Sequence, residues 1–308
     1  MSLIGIIVII LREPRRFLTW LATLGCLVSP QTEAQTAQAR DLNGANGLIA
    51  SVPFAQDAGT SIFLSVGLDG RRPYWWALDS GASECIVDRA TAKNAGLLTR
   101  GSRELHGAGK GTVRLDSIRS PVHLRLSDRA LPTCDHFGAV NLRNATGGGR
   151  TIAGILGNEF FARYIVRIDF AAHTLDLYDP AKFRYAGGGD TLALEFVRKL
   201  PRVAVRIKTA HRPEVTRHLI VDTGSDDAVD DSTVRRSPNG PAVTVSTTGL
   251  GSSYEAVIGT LDTVRIGHSV FTKVPGVASD VGIVGTGIWS RFVCIFDYAH
   301  KRLFVEPK

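Results

Sequence analysis

The sequence predicts a mainly β protein built from two similar lobes that are related by a pseudo-two-fold axis. Three observations lead to this prediction: a high glycine content, stretches in which apolar and polar residues alternate, and an internal duplication. Of the 308 residues, 32 are glycine and 13 are proline, without the regular period of collagen, which is typical of a turn-rich chain. A hydrophobic fraction of 44% excludes an intrinsically disordered protein, and the length leaves room for two lobes that each bury a core.

The duplication consists of three short motifs that occur twice and in the same order. The first motif reads WALDSGA in one copy and LIVDTGS in the other, the second is a Gly-x-Gly hairpin, and the third joins a hydrophobic-hydrophobic-glycine sequence to two strands. Chance explains one short match but not an ordered set, so two copies of one lobe are predicted. The matching segments are Trp76–Ala82 with Leu219–Ser225, Gly107–Gly109 with Gly249–Gly251, and Gly154–Pro180 with Gly282–Pro307.

Residues 1–39 are predicted to be a secretory signal peptide, which would make the protein periplasmic or secreted. An apolar run, Ser2–Leu11, is followed by a cluster of arginines and a second apolar run, Phe17–Val28, and the Ala-Gln-Ala sequence that ends at Ala39 suits cleavage. Neither run reaches the roughly 20 apolar residues that span a membrane. Three alternatives stay open: a later start of translation, an uncleaved anchor that would attach the protein to a membrane, and lipidation at Cys26.

The two predicted lobes cover residues 62–180 and 192–308. A segment of small and polar residues, 40–61, precedes the first lobe and is expected to be flexible. Residues 181–191 contain three consecutive glycines and are expected to link the lobes.

Each lobe is expected to begin and end with strands. Alternation of apolar with small or polar residues predicts the first strand of each lobe, and Asp69-Gly70 predicts a hairpin turn after the first of them. The apolar positions are Ile62, Leu64, Val66 and Leu68 in one lobe and Val203, Val205 and Ile207 in the other. The closing strand pairs are Ile165–Phe170 with Thr174–Tyr178 and Val293–Tyr298 with Arg302–Val305.

Helix is predicted to be sparse. Asp88 can cap a short helix, Arg89–Ala95, that stops at Gly96, and a second short helix is expected after Gly157. The second lobe shows no match to the capped helix, because Pro238–Pro241 favours a loop there.

The repeated Asp-Ser/Thr-Gly sequences are the candidate catalytic site. In both copies an aspartate, Asp79 or Asp222, directly follows an apolar strand, where burying a carboxylate is costly unless it is hydrogen-bonded or functional. If the pseudo-symmetry brings the two loops together, the carboxylates cannot both ionise freely and share one proton. One carboxylate can then activate a water molecule while the other polarises a carbonyl group.

These residues resemble the active-site signature of the aspartic proteases, with DSGA at Asp79–Ala82 and DTGS at Asp222–Ser225. The resemblance implies a bilobal pepsin-like acid protease fold in which each lobe is similar to one retropepsin monomer, and an aspartic endopeptidase activity. It also implies supporting roles for the residues beside each aspartate and for two hydrophobic-glycine motifs, and a substrate-covering flap at each glycine hairpin. The supporting residues are Ser80, Gly81, Thr223, Gly224, Ile155, Leu156, Gly157, Ile283, Val284 and Gly285, and the flap residues are Gly107, Ala108, Gly109, Gly249, Leu250 and Gly251.

The chain departs from the family pattern at two positions. Cys85 and Ala228 stand where the family usually has a threonine or serine that helps to hold the active-site loop. A non-catalytic peptide-binding or envelope-scaffolding module with the same fold is therefore the alternative function.

The remaining features exclude several classes of site. The net charge of +7 is scattered and not interleaved with aromatic residues, so nucleic acid is not expected as a partner. The eight histidines include no HExxH pair, and neither a metal nor an organic cofactor is expected. The expected partner is a polypeptide in extended conformation, bound by a monomer. Cys85, Cys134 and Cys294 are expected to be small buried side chains, with a Cys85–Cys134 disulfide as the alternative.

Overall fold

The computed structural model describes residues 6–7, 46–56, 61–107, 112–119, 121–127, 129–131, 136–143, 146–147, 150–209, 212–236, 243–248 and 253–308. The predicted signal peptide apart from residues 6–7, the tips of both glycine hairpins, the Pro238–Pro241 loop and Cys134 lie outside these ranges. The predictions that concern them therefore stay predictions.

Strands dominate the described part of the chain. They are β1 Ile6–Ile7, β2 Leu48–Pro53, β3 Phe63–Leu68, β4 Tyr74–Leu78, β5 Cys85–Asp88, β6 Thr99–Gly107, β7 Thr112–Ile118, β8 Leu124–Leu126, β9 Arg129–Ala130, β10 Phe137–Val140, β11 Thr146–Gly147, β12 Arg150–Leu156, β13 Ile165–Asp169, β14 Thr174–Tyr178, β15 Asp190–Ala193, β16 Glu195–Val197, β17 Leu200–Lys208, β18 Val215–Val221, β19 Val229–Asp230, β20 Val243–Thr248, β21 Ser253–Ile266, β22 Ser269–Val277, β23 Ile283–Val284, β24 Phe292–Asp297 and β25 Arg302–Pro307. The helices are α1 Arg89–Asn94, α2 Asn158–Arg163, α3 Thr286–Trp289 and a 3-10 helix, Ser232–Arg236. The prediction of a mainly β protein is confirmed.

Each lobe is built around its own sheet. The first has the order β1-β6-β7-β10-β5-β12-β4-β3-β8-β9, with β11 beside β12. The second has the order β16-β17-β18-β23-β19-β22-β21-β20, and the long strand β21 also pairs with β17, which curls the sheet towards a barrel. The alternation predicted for the first strand of the second lobe is confirmed, because Val203, Val205 and Ile207 are buried and the residues between them are exposed.

A third sheet, of six strands, joins the two lobes in the order β15-β25-β24-β13-β14-β2. At its centre β13 and β24 run antiparallel, and Arg167 pairs with Ile295. Arg167 lies as far beyond Gly157 as Ile295 lies beyond Gly285, so both residues hold the same place in the repeat. The pseudo-two-fold axis passes through this pair, as expected for two related lobes.

Two strands of this sheet come from segments that the sequence placed outside the lobes. β2 lies within residues 40–61, which were expected to be flexible, yet all of it pairs with β14, and Val52 is buried there. β15 begins at Asp190, inside the predicted linker, and pairs with β25. Neither strand belongs to a repeated motif, so the duplication does not predict them, and both lie at the edges of the sheet.

The capped helix of the first lobe forms as predicted. The carboxylate of Asp88 accepts the N–H groups of Ala90 and Thr91, and the chain leaves α1 at Gly96, whose φ of +77° suits glycine. The second predicted helix, after Gly157, is α2.

The expectation that the second lobe has no counterpart of α1 is wrong. The 3-10 helix, Ser232–Arg236, occupies the equivalent place, and Asp231 accepts the N–H of Thr233 as Asp88 does in the first lobe. The segment is a single tight turn with no apolar periodicity, so no helical pattern is visible in the sequence. The prolines that follow favour a loop instead.

A buried aromatic cluster holds α2 against the six-stranded sheet. The ring of Phe161 lies 5.0 Å from Phe296 and stacks on Tyr298 at 5.4 Å, and Phe196 meets Tyr298 edge-on at 4.8 Å. These contacts fix the start of α2, which follows the first hydrophobic-glycine motif. In the described part of the chain, no helix is long and apolar enough to cross a membrane.

Candidate active site

Asp79 and Asp222 lie at equivalent places in the two lobes. Each follows the end of a central strand, β4 or β18, that runs parallel to the strand of the hydrophobic-glycine motif, β12 or β23. The N–H of Asp79 donates to the carbonyl of Leu156, and the N–H of Asp222 donates to that of Val284, both at 3.0 Å. Both aspartates are completely buried.

Four hydrogen bonds between the lobes tie the two aspartate loops together. The backbone N–H of Ser80 donates to Thr223 Oγ1 at 3.0 Å, and the N–H of Thr223 donates to Ser80 Oγ at 3.0 Å. Each hydroxyl also donates across the interface, Ser80 Oγ to the carbonyl of Val221 at 2.7 Å and Thr223 Oγ1 to that of Leu78 at 2.9 Å. The two hydroxyl groups therefore bridge the lobes.

Each carboxyl group lies directly against a glycine of the opposite lobe. A Cβ added to Gly81 would lie 2.5 Å from Cγ of Asp222, and a Cβ added to Gly224 would lie 2.6 Å from Cγ of Asp79. No residue with a side chain fits either position while the lobes keep this spacing. The two glycines thus allow the carboxyl groups to meet at the interface.

The pKa values of the two aspartates are raised. Burial raises the pKa of Asp79 well above its ordinary value, and the charge of Asp222 and a hydrogen bond with it raise this pKa further. Burial raises the pKa of Asp222 to about 7, against the opposing effect of hydrogen bonds from the N–H of Gly224, from Asp79 and from the N–H of Ser225. The pair can therefore hold one shared proton over a wide pH range.

The hydrophobic-glycine motifs brace the loops from behind. A Cβ on Gly157 would lie 2.3 Å from the carbonyl oxygen of Glu84, and one on Gly285 would lie 2.3 Å from that of Asp227. The residue after each glycine donates its N–H to the facing loop, Asn158 to Ala82 at 2.9 Å and Thr286 to Ser225 at 2.8 Å. Ile155, Leu156, Ile283 and Val284 are buried behind the loops.

At Cys85, the first position that departs from the family pattern, other groups hold the Asp79 loop. Cys85 is buried; its Sγ accepts the N–H of Gly157 at 3.3 Å, and its own N–H donates to Glu159 Oε2 at 2.7 Å. The carboxylate of Glu159 also accepts Lys199 Nζ at 3.0 Å. Sequence reasoning missed this carboxylate because the repeat gives no sign of it: the position of Glu159 is taken by Gly287 in the second copy.

At Ala228, the second position that departs from the family pattern, backbone groups hold the loop. The carbonyl of Ala228 accepts the N–H of Gly285 at 3.2 Å, and Thr286 Oγ1 donates to the carbonyl of Ser225 at 2.7 Å. The Asp222 loop is therefore held without a hydroxyl at position 228.

The structure describes the paired strands of both glycine hairpins but not the hairpin tips. Gly107 ends β6, which pairs with β7, and β20 pairs with β21 in the second lobe. Ala108, Gly109 and the Gly249–Gly251 tip lie outside the described residues, so the flap roles stay predictions.

Two other aspartates, Asp169 and Asp297, accept hydrogen bonds from arginines and have structural roles. Asp169 accepts Arg167 Nη2 at 3.1 Å and the N–H groups of the following turn, and Asp297 accepts Arg302 Nη2 at 2.7 Å. Trp76 is fully buried, whereas Trp75 is half-buried with the guanidinium group of Arg150 over its ring at 4.4 Å.

A pocket of about 200 Å³ lies beside the Asp222 loop. It is lined by Asp226 and Asp227 of that loop, by Ile258 near the base of the second hairpin, and by Phe271 and Arg291. Among the described residues no group of three or more histidine, cysteine, aspartate or glutamate side chains could hold a metal ion.

A model of a known protein family matches most of the first lobe. Residues 64–160 match the family model described as aspartyl protease, a family of the retropepsin-like clan. The match includes Asp79, the first glycine hairpin and the first hydrophobic-glycine motif. No curated protein matches the chain.

Proposed function

We propose that the chain is an aspartic endopeptidase that hydrolyses peptide bonds with a water activated between Asp79 and Asp222; the match of residues 64–160 to the aspartyl protease family model supports this. The family match covers only the first aspartate. The second is included because it occupies the equivalent place in a lobe of the same plan.

The observation that carries this proposal is the contact of each carboxyl group with the glycine of the other lobe. Gly81 and Gly224 place the two acids side by side, and the four hydrogen bonds of Ser80 and Thr223 keep them there. Each carboxyl group accepts N–H groups of its own loop, but it also meets the other acid at the interface between the lobes. Burial of two acids side by side raises their proton affinity, which is costly for folding and useful for acid–base catalysis.

The raised pKa values suggest how the two acids work together: one carboxyl group keeps the shared proton while the other is ionised. The ionised carboxylate acts as the base that removes a proton from the attacking water, and the protonated carboxyl group donates to the carbonyl oxygen of the scissile bond. Addition of the water gives a tetrahedral intermediate without a covalent bond to the enzyme. Proton transfer to the departing amine then releases both products.

The substrate in this proposal is a polypeptide in extended conformation. The flap hairpins would hydrogen-bond its backbone as strands do, and would exclude bulk water during the reaction. We further propose that the protein is exported and acts as a monomer in the periplasm or outside the cell.

The test is cleavage of a denatured protein and of a peptide library from acidic to neutral pH. Wild type is compared with Asp222→Asn, and with Asp280→Asn as the control, since Asp280 is exposed and paired with Arg235. We expect cleavage by wild type and by the Asp280 variant, and a loss of at least about 1000-fold in kcat/KM for Asp222→Asn, as expected when an acid–base group is removed. Equal cleavage by Asp222→Asn would disprove the proposal. Absence of cleavage by wild type, together with tight binding of peptides, would favour the peptide-binding module.

A further inference from the structure

The first turn of α2 lies between the Asp79 loop and the second lobe. On one side the N–H of Asn158 donates to the carbonyl of Ala82, and Glu159 Oε2 accepts the N–H of Cys85 at 2.7 Å. On the other side Asn158 Nδ2 donates to the carbonyl of Lys199 at 2.7 Å, and Glu159 Oε1 accepts Lys199 Nζ at 3.0 Å. Two consecutive side chains thus connect the loop of one lobe to a turn of the other.

The connection extends to the base of the first glycine hairpin. Glu84, which is largely buried at the end of the same loop, pairs with Arg103 on β6. Burial raises the pKa of Glu84, and the negative charge of Glu159 raises it further. The hydrogen bond and charge of Arg103 and the charge of Lys199 lower this pKa. The four charged groups therefore form one network, which runs from the second lobe through the Asp79 loop to β6.

The turn that supplies Lys199 adopts a conformation that its residues do not favour. Arg198 and Lys199 join β16 to β17 with φ values of +52° and +68°. In a two-residue hairpin turn these are the positions of asparagine and glycine, and other residues there are strained. Such strain is tolerated when surrounding contacts fix the conformation, and Lys199 has such contacts.

Among the residues of the second lobe that the structure describes, no equivalent of this network is found. Gly287 holds the place that corresponds to Glu159, and a Cβ there would lie 2.9 Å from the backbone of Ala228. The lobe instead receives Ser61, whose Oγ donates to Asp226 Oδ1 at 2.7 Å. The ionic connection between the lobes is thus specific to the side of Asp79.

We propose that Lys199 and Glu159 are a positioning pair, which seats the Asp79 loop against the second lobe and so fixes the approach of Asp79 to Asp222. The proposal rests on the proposed function for its effect on catalysis. Neither residue touches the reacting atoms; Glu159 acts through the backbone of Cys85, and Lys199 acts through Glu159. If the two carboxyl groups move apart by a fraction of an ångström, kcat should fall while KM changes little. The reason is that both carboxyl groups must be correctly positioned in the transition state.

The test compares two neighbouring residues of one turn. Lys199→Asn removes the cation and suits the positive φ, whereas Arg198→Asn makes the same change at a residue with no ion pair in the described part of the chain. We expect kcat to fall by about 3- to 100-fold in Lys199→Asn, with KM changed by less than about two-fold, and no change in Arg198→Asn. Lys199→Arg should restore most of kcat. The melting temperature of Lys199→Asn should change by less than about 4 °C, because the lysine is more than half exposed.

Glu159→Gln should lower kcat like Lys199→Asn, and the double variant should be no worse than the more affected single variant, since both substitutions break one connection. Equal kcat in the Lys199 and Arg198 variants would overturn the proposal. So would additive losses in the double variant, because they would mean that the residues act independently.

A second measurement separates this proposal from the proposed function. Hydrogen exchange of the Cys85 amide needs no activity and can be followed in wild type and in Asp222→Asn alike. We expect faster exchange in Lys199→Asn and Glu159→Gln, and unchanged exchange in Arg198→Asn. Faster exchange in a protein that cleaves nothing would support the positioning pair and reject the protease. Unchanged exchange in Lys199→Asn would reject the pair even if the protein is a protease.

Discussion

Gly81 of the first lobe and Asp222 of the second lie so close that a Cβ on the glycine would stand 2.5 Å from Cγ of the aspartate. The pseudo-symmetric contact of Gly224 with Asp79 is almost as close, at 2.6 Å. The glycines of the DSGA and DTGS motifs are therefore required by the opposite lobe, and not by the conformation of their own turns. Four expectations follow from this arrangement and from the fold that supports it.

Gly81→Ala should inactivate the protein while leaving most of its fold intact. The added methyl group must push the Asp222 carboxyl group or the loop aside, which costs about 1–3 kcal/mol of stability as overpacking and separates the acids. We expect kcat/KM to fall by about 100-fold or more. The matched control is Gly188→Ala, where a Cβ meets nothing within 4 Å and the φ is not in the left-handed region. Wild-type activity in Gly81→Ala would mean that the observed spacing is not the active one.

Thr223→Val should weaken the contact between the lobes. Thr223 Oγ1 accepts the N–H of Ser80 and donates to the carbonyl of Leu78, so the methyl group that replaces it leaves two buried polar groups without their partner. Each such group costs about 1–3 kcal/mol. We expect a loss of about 2–5 kcal/mol in the free energy of unfolding in urea, and near-complete recovery in Thr223→Ser, which keeps the hydroxyl. An equal loss in both variants would point to the methyl group of threonine instead.

The stability of the protein should fall as the pH rises through the titration range of the two acids. Their pKa values are raised in the folded state, so the folded protein binds more protons than the unfolded chain between the ordinary value of 3.8 and the raised values. The contribution of the pair is thus fully present below about pH 3.8 and is lost as the pH rises through about 7, where Asp222 ionises. Because one acid of Asp222→Asn cannot ionise, this variant should lose less stability between pH 5 and pH 8 than wild type does. Urea unfolding at the two pH values measures the difference, and parallel pH dependence of the two proteins would contradict the raised pKa values.

The sequence is sufficient to predict those parts of the fold that contain repeated motifs or clear helix-end signals. The duplication around Asp79 and Asp222 predicts two β lobes, the helix capped by Asp88 shows its own end signals, and both features are found in the structure. The contacts of Glu159 could not be predicted, since they join residues that are far apart in the chain and the second copy of the repeat has a glycine, Gly287, at the same position. The six-stranded sheet was predicted only in part. Its central strands lie in the repeated segments, whereas β2 is a short apolar run within a segment of small and polar residues and belongs to no repeat.

Val52 tests whether β2 supports the sheet that joins the lobes. Its side chain is buried, and its neighbour across the strand pair is Leu175, on β14. Val52→Ala should therefore lower the free energy of unfolding by about 1–3 kcal/mol, as expected for loss of buried methyl groups. The control is Val270→Ala, since Val270 lies in β22 and is 47% exposed, and we expect a change within about 0.5 kcal/mol. If the two variants are equally stable, residues 48–53 are the flexible segment that their composition predicts, and the sheet is held by its five other strands.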